Sequence, residues 1–544
     1  MRHIGIIGAL LVISTLNITT QAQDKYFVKF KDKNNSPYSI ENPSEFLSQR
    51  SIERRTKQGI SITTNDLPVN PDYLQQIKNT GASVNFQLKW FNGATITITN
   101  SNQLTAIQRL SFVESTEKIY QSGAKGYELE VDVQDTKPFN RKRQTPDELN
   151  YGNSSTQIKM MNGHILHNNG FMGDGIQIAV LDAGFLNVDT HPVFDSLRTK
   201  GRILGTKDFV NSNSNIYEEH YHGMMVLSTM GGYLDGQLIG TAPHAKYWLI
   251  RTENADVEQI YEEYCWAAGA EFADSVGADI INTSLGYTTF DITAQSHNFN
   301  DLNGTSTPIT KATNYASSTG MVVVVSAGND GDSSWYYISA PADSPNVLTV
   351  GAVDNAREKA SFSSFGPTYD GRIKPDVCAM GQSAVVANTT GVIGTANGTS
   401  FSSPIMAGMV ACLWECKPNL KASEIIQLVK TSGSQFQSPN NSIGYGIPDF
   451  AVATKIGENI KSKNLLGIFP NPFNNSINIV LPEDTPQYVE CTVYSISGSE
   501  ILTEIKYVTE NTFELNIPQH LSKGNYLIKA KTESNTYIGK CVKI

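Results

Sequence analysis

Three short segments of this chain concentrate the residue types of nucleophilic catalysis. Asp182 closes the run Ile178-Ala179-Val180-Leu181-Asp182, at the end of a segment apolar enough to be a strand buried on both faces. His222 stands in His220-Tyr221-His222-Gly223, ahead of a helix-compatible run, and Ser400 stands in Gly398-Thr399-Ser400-Phe401, ahead of the apolar residues 405–414. An imidazole takes a proton from a hydroxyl when its other nitrogen is held by an acceptor, and a buried carboxylate is such an acceptor. A helix start behind the serine favours developing negative charge. Each segment also has a plainer reading, since strands often end in Asp for turn chemistry and Ser caps helices. A fourth segment, Ser326-Ala327-Gly328-Asn329, places an amide after another apolar run, where it serves either a turn or an oxyanion. His220 and His222 together raise the question of a metal, but no His, Cys or carboxylate cluster at ligand spacing accompanies them and none is assigned.

Such groups work only if elements bring them together. Residues 176–181, 279–284 and 321–326 are short runs rich in Val and Ile with little alternation, and residues 256–276 carry apolar positions at helical spacing. Helix and buried strand in repetition predict an α/β domain, a parallel sheet with helices on both faces, over residues 151–456. Ligands bind such sheets beyond the carboxyl ends of the strands, where Asp182 and Asn329 fall. Residues 24–120 mix strand-like runs at 26–30 and 93–99 with helical stretches at 44–57 and 72–80, a small α+β unit. Residues 121–150 show no apolar periodicity, hold the basic cluster Arg141-Lys142-Arg143, and read as an exposed linker open to proteases. Residues 464–544 return to period two, as in Ile477/Ile479/Leu481 and Tyr526/Ile528/Ala530, with turn signals between, which predicts a small all-β sandwich.

Composition narrows the function classes. A chain of 544 residues is too long for one small binding module, and 42 Lys and Arg against 52 Asp and Glu leave a net charge of −10, which argues against nucleic acid or an anionic membrane as partner. Residues 4–16 form an apolar run behind Arg2 and His3, followed by Thr20-Gln21-Ala22. That is the form of a signal peptide, 1–22, and too short for a transmembrane anchor. Six cysteines in an exported chain of this length are no disulfide scaffold. Cys412 and Cys416 read as buried helix residues, and a pairing of Cys491 with Cys541 is left open.

Taken in order, Asp182, His222, Asn329 and Ser400 resemble the subtilisin-like serine proteases. The order Asp, His, Ser separates them from chymotrypsin-like enzymes and α/β-hydrolases. The resemblance extends over about 300 residues through Gly240-Thr241-Ala242-Pro243, Ile281-Asn282-Thr283-Ser284-Leu285-Gly286, Val350-Gly351-Ala352-Val353, Ser361-Phe362-Ser363-Ser364-Phe365-Gly366-Pro367, Lys374-Pro375-Asp376 and Gly444-Tyr445-Gly446. It departs at Met224, where the family usually has Thr, and at Tyr287, where a small residue is common and a large one is expected to narrow or cover a substrate pocket. The resemblance implies a subtilisin-like fold and a secreted serine endopeptidase made as an inactive precursor. Ser400 would be the nucleophile, His222 the base, Asp182 its orienter, and Asn329 with the Ser400 N–H the oxyanion hole. Ser284, Leu285, Gly286, Ala327 and Gly328 would line the substrate pocket with Asn329, over Ile338 and Ser339, and favour uncharged side chains.

No cofactor is required for that chemistry. Structural calcium is known among relatives, although no loop here reads as a calcium site. Residues 24–120 resemble the family's propeptides, with Lys89-Trp90-Phe91-Asn92 close to a pattern of bacterial relatives. Residues 464–544 resemble the sorting domain of the type IX secretion system through Phe469-Pro470-Asn471-Pro472 and Leu521-Ser522-Lys523-Gly524-Asn525-Tyr526. The implied partners are protein or peptide substrates and the secretion machinery. The implied protein is a monomer, released from or held on the surface of a Gram-negative bacterium. Three rival readings remain: a surface-binding protein that keeps the fold without catalysis, a metal-dependent hydrolase built on His220 and His222, and a tail that is a carbohydrate- or protein-binding sandwich.

Overall fold

The structure, a computed structural model, describes residues 23–123, 133–135 and 149–455 and, towards the C-terminus, 466–469, 473–481, 488–495, 499–508, 512–518, 520–533 and 536–543. Residues 1–22, the basic cluster at 141–143, the polar residues 457–464 and the turn signals at 470–472 and 497–498 lie outside these residues. The described chain divides into two compact units, residues 1–451 and 452–544.

The first unit opens with β1 (Asp24–Phe30), α1 (Gln49–Gln58), α2 (Pro71–Lys78), β2 (Ser83–Leu88), β3 (Gly93–Ile98), α3 (Ser101–Gln108) and β4 (Val113–Tyr120). The strands form an antiparallel sheet in the order β2-β3-β1-β4. Its core gathers Val28, Phe30, Ile96, Ile77 of α2 and Ile107 of α3. Sequence periodicity shows β1 and β3 but not β2, β4 or α3. The two outer strands alternate exposed polar residues with few apolar ones, so their register depends on their neighbours. Helix α1 is capped by Ser48, which accepts from the Ser51 N–H, and it ends at Gly59 in the left-handed region.

The larger part of this unit follows with β5 (Gln177–Asp182), β6 (Ile203–Asp208), α4 (His222–Gly231), β7 (Lys246–Arg251), α5 (Tyr261–Val276), β8 (Ile280–Thr283), α6 (Pro308–Ser318), β9 (Val322–Ser326), β10 (Leu348–Val353), β11 (Val377–Met380) and α7 (Thr399–Cys416). Seven strands make one parallel sheet in the order β11-β10-β9-β8-β5-β7-β6. The strand order reverses between β5 and β8, and a sheet of this kind opens a crevice there. On one face Ala179, Leu181, Ile281, Val323 and Val325 pack with α5 and α6. Helices α4 and α7 cover the other, where the Ser403 hydroxyl of α7 donates to Asn282 at 3.0 Å. Helix α5 begins at Tyr261, later than its periodicity suggests, because the Glu262 carboxylate accepts from the N–H groups of Asn254 and Gln259 and holds 254–259 as a turn.

The β1–β4 sheet and α1 dock on α5. Phe27, Leu88, Trp90 and Ile119 join the core that contains Tyr261, Tyr264 and Trp266. Asp274 of α5, fully buried, pairs with Arg54 at 2.5 Å, Arg55 at 2.8 Å and Lys89 at 2.8 Å. One turn earlier the Glu271 carboxylate accepts from the N–H groups of Lys89 and Trp90.

The strand ladders of the second unit are antiparallel, with one isolated parallel bridge between Phe473 and Lys543. One sheet joins Gly467–Phe469, Ser476–Val480 and Thr512–Asn516. The other orders Glu500–Tyr507, Tyr488–Ser495, Gly524–Lys531 and Thr536–Lys543. Ile477, Leu515, Val493 and Ile528 share its core. No disulfide joins the cysteines: Cys265, Cys378, Cys412, Cys491 and Cys541 are buried, and Cys416, expected to be buried as well, is only partly so at the end of α7.

Candidate active site

Asp182 is the last residue of β5, and its side chain is buried. One carboxylate oxygen accepts from the Ala183 N–H at 2.8 Å and lies 2.7 Å from His222 Nδ1. An ionised carboxylate only accepts, so Nδ1 carries the proton and Nε2 is left as the basic nitrogen. The approach is close because Gly223 follows the histidine. A Cβ there would stand 2.9 Å from that of Asp182 and collide with the Gly184 carbonyl. Met224 beside it is buried in α4 without disturbing the helix. Burial opposes the imidazolium, but the charge of Asp182, its hydrogen bond and the charge of Glu253 more than reverse that. His222 is held above the usual imidazole range.

Ser400 is the second residue of α7 and half-buried. Its hydroxyl donates to the Ser284 carbonyl at 3.0 Å rather than to His222, and the Ser284 hydroxyl donates back to the Ser400 carbonyl at 2.9 Å. The second bond has a local cause. Pro404, inside α7, has no N–H, so the carbonyl four residues before it lacks its helical donor, and Ser284 supplies one.

Asn329 follows β9 at the rim of the crevice. Its Oδ1 accepts from both the N–H and the hydroxyl of Thr399, at 2.8 and 2.9 Å. With the oxygen fixed, the amide NH₂ faces the cleft beside Ser400. Thr399 is a positioning residue that the sequence reading did not single out.

The other expected residues sort in two ways. Ser284, Leu285, Gly286, Gly328, Asn329 and Ser339 line the cleft with His222 and Ser400. Ala327 and Ile338 are fully buried behind it and are not on its wall. A residue larger than glycine at 286 would run into the Ser339 hydroxyl, so that wall depends on glycine. Tyr287 does not narrow the pocket. Its backbone bridges to Ala340, and its ring is buried and stacked on Phe290 at 5.8 Å. The His220 ring lies tilted against that of Tyr221, and its Nδ1 accepts from the His222 N–H at 3.3 Å. Among the described residues no three His, Cys, Asp or Glu side chains converge to hold a metal ion, so neither a His220 metal site nor a carboxylate calcium cluster fits them. Glu253 is the residue sequence reasoning missed. It is 8% exposed, lies on the cleft wall, and is pushed up to about 7 by burial and by the charge of Asp182.

Residues 173–446 match the subtilase family (peptidase S8), residues 25–133 the peptidase S8 propeptide domain of Bacteroidota, and residues 467–544 a secretion system C-terminal sorting domain. The chain is similar to serine protease AprX of Bacillus subtilis (strain 168), at 31% identity over 304 residues, 50% of this chain and 64% of that protein. It thus spans somewhat less than two thirds of that relative's length. To Subtilisin BL of Lederbergia lenta it is 29% identical over 290 residues, 53% of this chain and 94% of the relative. Among solved structures, the crystal structure of MycP1 with the N-terminal propeptide removed overlaps 56% of this chain and 98% of its own, at 23% identity and a TM-score of 0.44. No helix among the described residues is long and apolar enough to cross a membrane. The sorting domain marks the chain for secretion or the cell surface. Because the first match spans half of the chain and contains all four residues of the constellation, the chain belongs to the subtilase family, with a Bacteroidota-type propeptide domain before the peptidase and a sorting domain after it.

Proposed function

We propose that this chain is a serine endopeptidase, held inactive by its propeptide and exported through its C-terminal domain. The observation that carries the reading is the 2.7 Å bond between His222 and Asp182, in one cleft with Ser400 and Asn329. In the reaction the Ser400 hydroxyl turns from the Ser284 carbonyl to His222 Nε2. Its oxygen bonds to the substrate carbonyl carbon while the proton passes to the imidazole. The Asn329 amide and the Ser400 N–H hold the resulting oxyanion at the start of α7. The imidazolium then gives its proton to the departing amine as the C–N bond breaks, and water repeats the cycle on the acyl-enzyme. Asp182 holds the ring and stabilises its charged form. Beside the nucleophile, Ser284, Leu285, Gly286, Gly328 and Ser339 form an uncharged wall for the residue before the scissile bond. A Lys or Asp there would be buried unpaired, at a cost of several kcal/mol.

A fluorophosphonate probe tests the reading. Once the propeptide is removed, it should label the wild-type chain at Ser400 and leave Ser400→Ala unlabelled. Folded, propeptide-free protein that takes no label would overturn it. Ser400→Ala should also lose about 10⁶-fold in kcat, the loss known for subtilisin.

A further inference from the structure

The cleft continues past the triad into a lobe that the peptide-bond chemistry does not use. It is one cavity of about 570 Å³, whose wall runs from Ser400, Asn329 and Ser339 past His222 to Glu253, Glu258 and Asp291. Glu253 is more than nine-tenths buried on that wall, yet its carboxylate has no hydrogen bond or ion pair within the described residues. The Glu258 carboxylate has none either. Asp291 is tied to the same segment, its Oδ2 accepting from the Glu258 N–H at 3.0 Å, but it meets no cation. The cations nearby are committed elsewhere: His222, whose charge Glu253 feels, is bonded to Asp182, Arg251 to Asp208 and Glu219, and His297 to Glu263, while Lys25 lies over the Tyr261 ring.

A buried carboxylate such as Glu253 is costly when no cation is committed to it, and half-buried Glu258 shares part of that cost. Burial, together with the neighbouring acids, holds Glu258 well above the usual carboxylate range, as it does Glu253. A cation from outside would relieve both. The acids are spaced along a wall rather than converged on a point, so a divalent ion does not fit them. The ammonium or guanidinium tip of a long side chain does, and Phe290 and Thr288 on the same wall offer a surface for its methylene stem.

We infer that Glu253, Glu258 and Asp291 form a subsite that binds a Lys or Arg side chain of the substrate, apart from the uncharged pocket at Ser284, Gly286 and Ser339. This rests on the peptidase reading above. The chain's own sequence supplies such a substrate. Arg141-Lys142-Arg143 falls between the propeptide and subtilase matches. The propeptide sheet also leads the chain towards this lobe, because Gln121, just past β4, donates its N–H to Gln259 and accepts from its amide, one residue from Glu258.

The test compares kcat/KM of the full chain, after its own activation, on peptide pairs carrying arginine or the uncharged citrulline at each position flanking the cut. At one position arginine should be preferred about tenfold, the worth of one charge-assisted hydrogen bond. Both Glu253→Gln and Glu258→Gln should lower that ratio, so a folding defect in one leaves the other to decide. Cleavage with equal rates on both members of every pair, or a ratio that neither variant changes, would overturn the subsite and leave the peptidase reading standing. No cleavage, with arginine-selective binding of the same peptides by fluorescence polarisation, would overturn the peptidase reading and keep the subsite. No cleavage and no selective binding would overturn both.

Discussion

Asn329 is held by its oxygen so that its nitrogen is free. The two bonds from Thr399 settle which end of the amide faces the cleft. An alanine there should lower kcat by about 10²–10³ with little change in KM, because the lost contact belongs to the oxyanion and not to the bound carbonyl. Steady-state kinetics on a peptide ester or amide checks it, and near wild-type turnover would reduce Asn329 to a turn residue. His222 carries a second expectation. Its base form is neutral, and its affinity for protons is raised by Asp182 and Glu253 against the opposing effect of burial. Activity is then lost as pH falls through a value above the free imidazole's ~6.5. The acidic limb of kcat/KM on a non-ionising substrate should have its midpoint above that figure; a midpoint at or below it would contradict the geometry. Asp182, His222, Asn329 and Ser400 could be named from the sequence because each sits in a short segment whose neighbours have their own reason to be there. Glu253 could not. It is one acid in a polar run with several, and its place beside the histidine exists only because β7 lies next to β5 in the sheet.

The brace between β8 and α7 belongs to the scale of elements. Pro404 removes a helical donor and the Ser284 hydroxyl replaces it, so two defects of local structure cancel at the residue that carries the nucleophile. In a Ser400→Ala background, which prevents self-digestion, Ser284→Ala should lower stability by about 1–3 kcal/mol, the cost of an orphaned buried carbonyl. Adding Pro404→Ala should return part of that loss by restoring the N–H, and thermal unfolding of the four combinations measures the coupling. Strictly additive effects would show that the two residues do not share the carbonyl. The three central strands β5, β8 and β9 were legible to within a residue or two, because a run such as residues 321–326 has no polar face to mislead, whereas β6, β7, β10 and β11 were not singled out. The start of α5 and the outer strands of the N-terminal sheet were not. A carboxylate reaching back along the chain and pairing with a neighbouring strand set those boundaries, and neither leaves a periodic trace.

At the scale of the molecule, the peptidase and its tail are separate compact units, and none of the four constellation residues lies in the tail. Deleting residues 464–544 should leave peptide cleavage in vitro intact and strand the protein in the periplasm. Fractionation of the producing cell decides this, and normal amounts outside would defeat a sorting role. The propeptide is joined differently, through a buried carboxylate that serves three cations. Burial alone would raise Asp274, but Lys89, Arg55 and Arg54 hold it far below the usual range. Asp274→Asn leaves Arg54 and Lys89 buried without their carboxylate and Arg55 with Asp66 alone, which should weaken the complex by about 3–5 kcal/mol. The propeptide supplied in trans should then inhibit the mutant more weakly by that measure, and unchanged inhibition would mean the cluster contributes nothing. The cluster is also lopsided, with all of its positive charge on the departing partner and Glu271 and Asp274 left on α5. Once separated, the two halves attract each other through solvent, so ionic strength becomes a control on how fast a released propeptide recaptures the enzyme. Recapture should slow steeply as salt rises and the charges are screened beyond about 10 Å, while escape from the dry contact changes little, so dilution into low salt would keep freshly matured enzyme silent the longest.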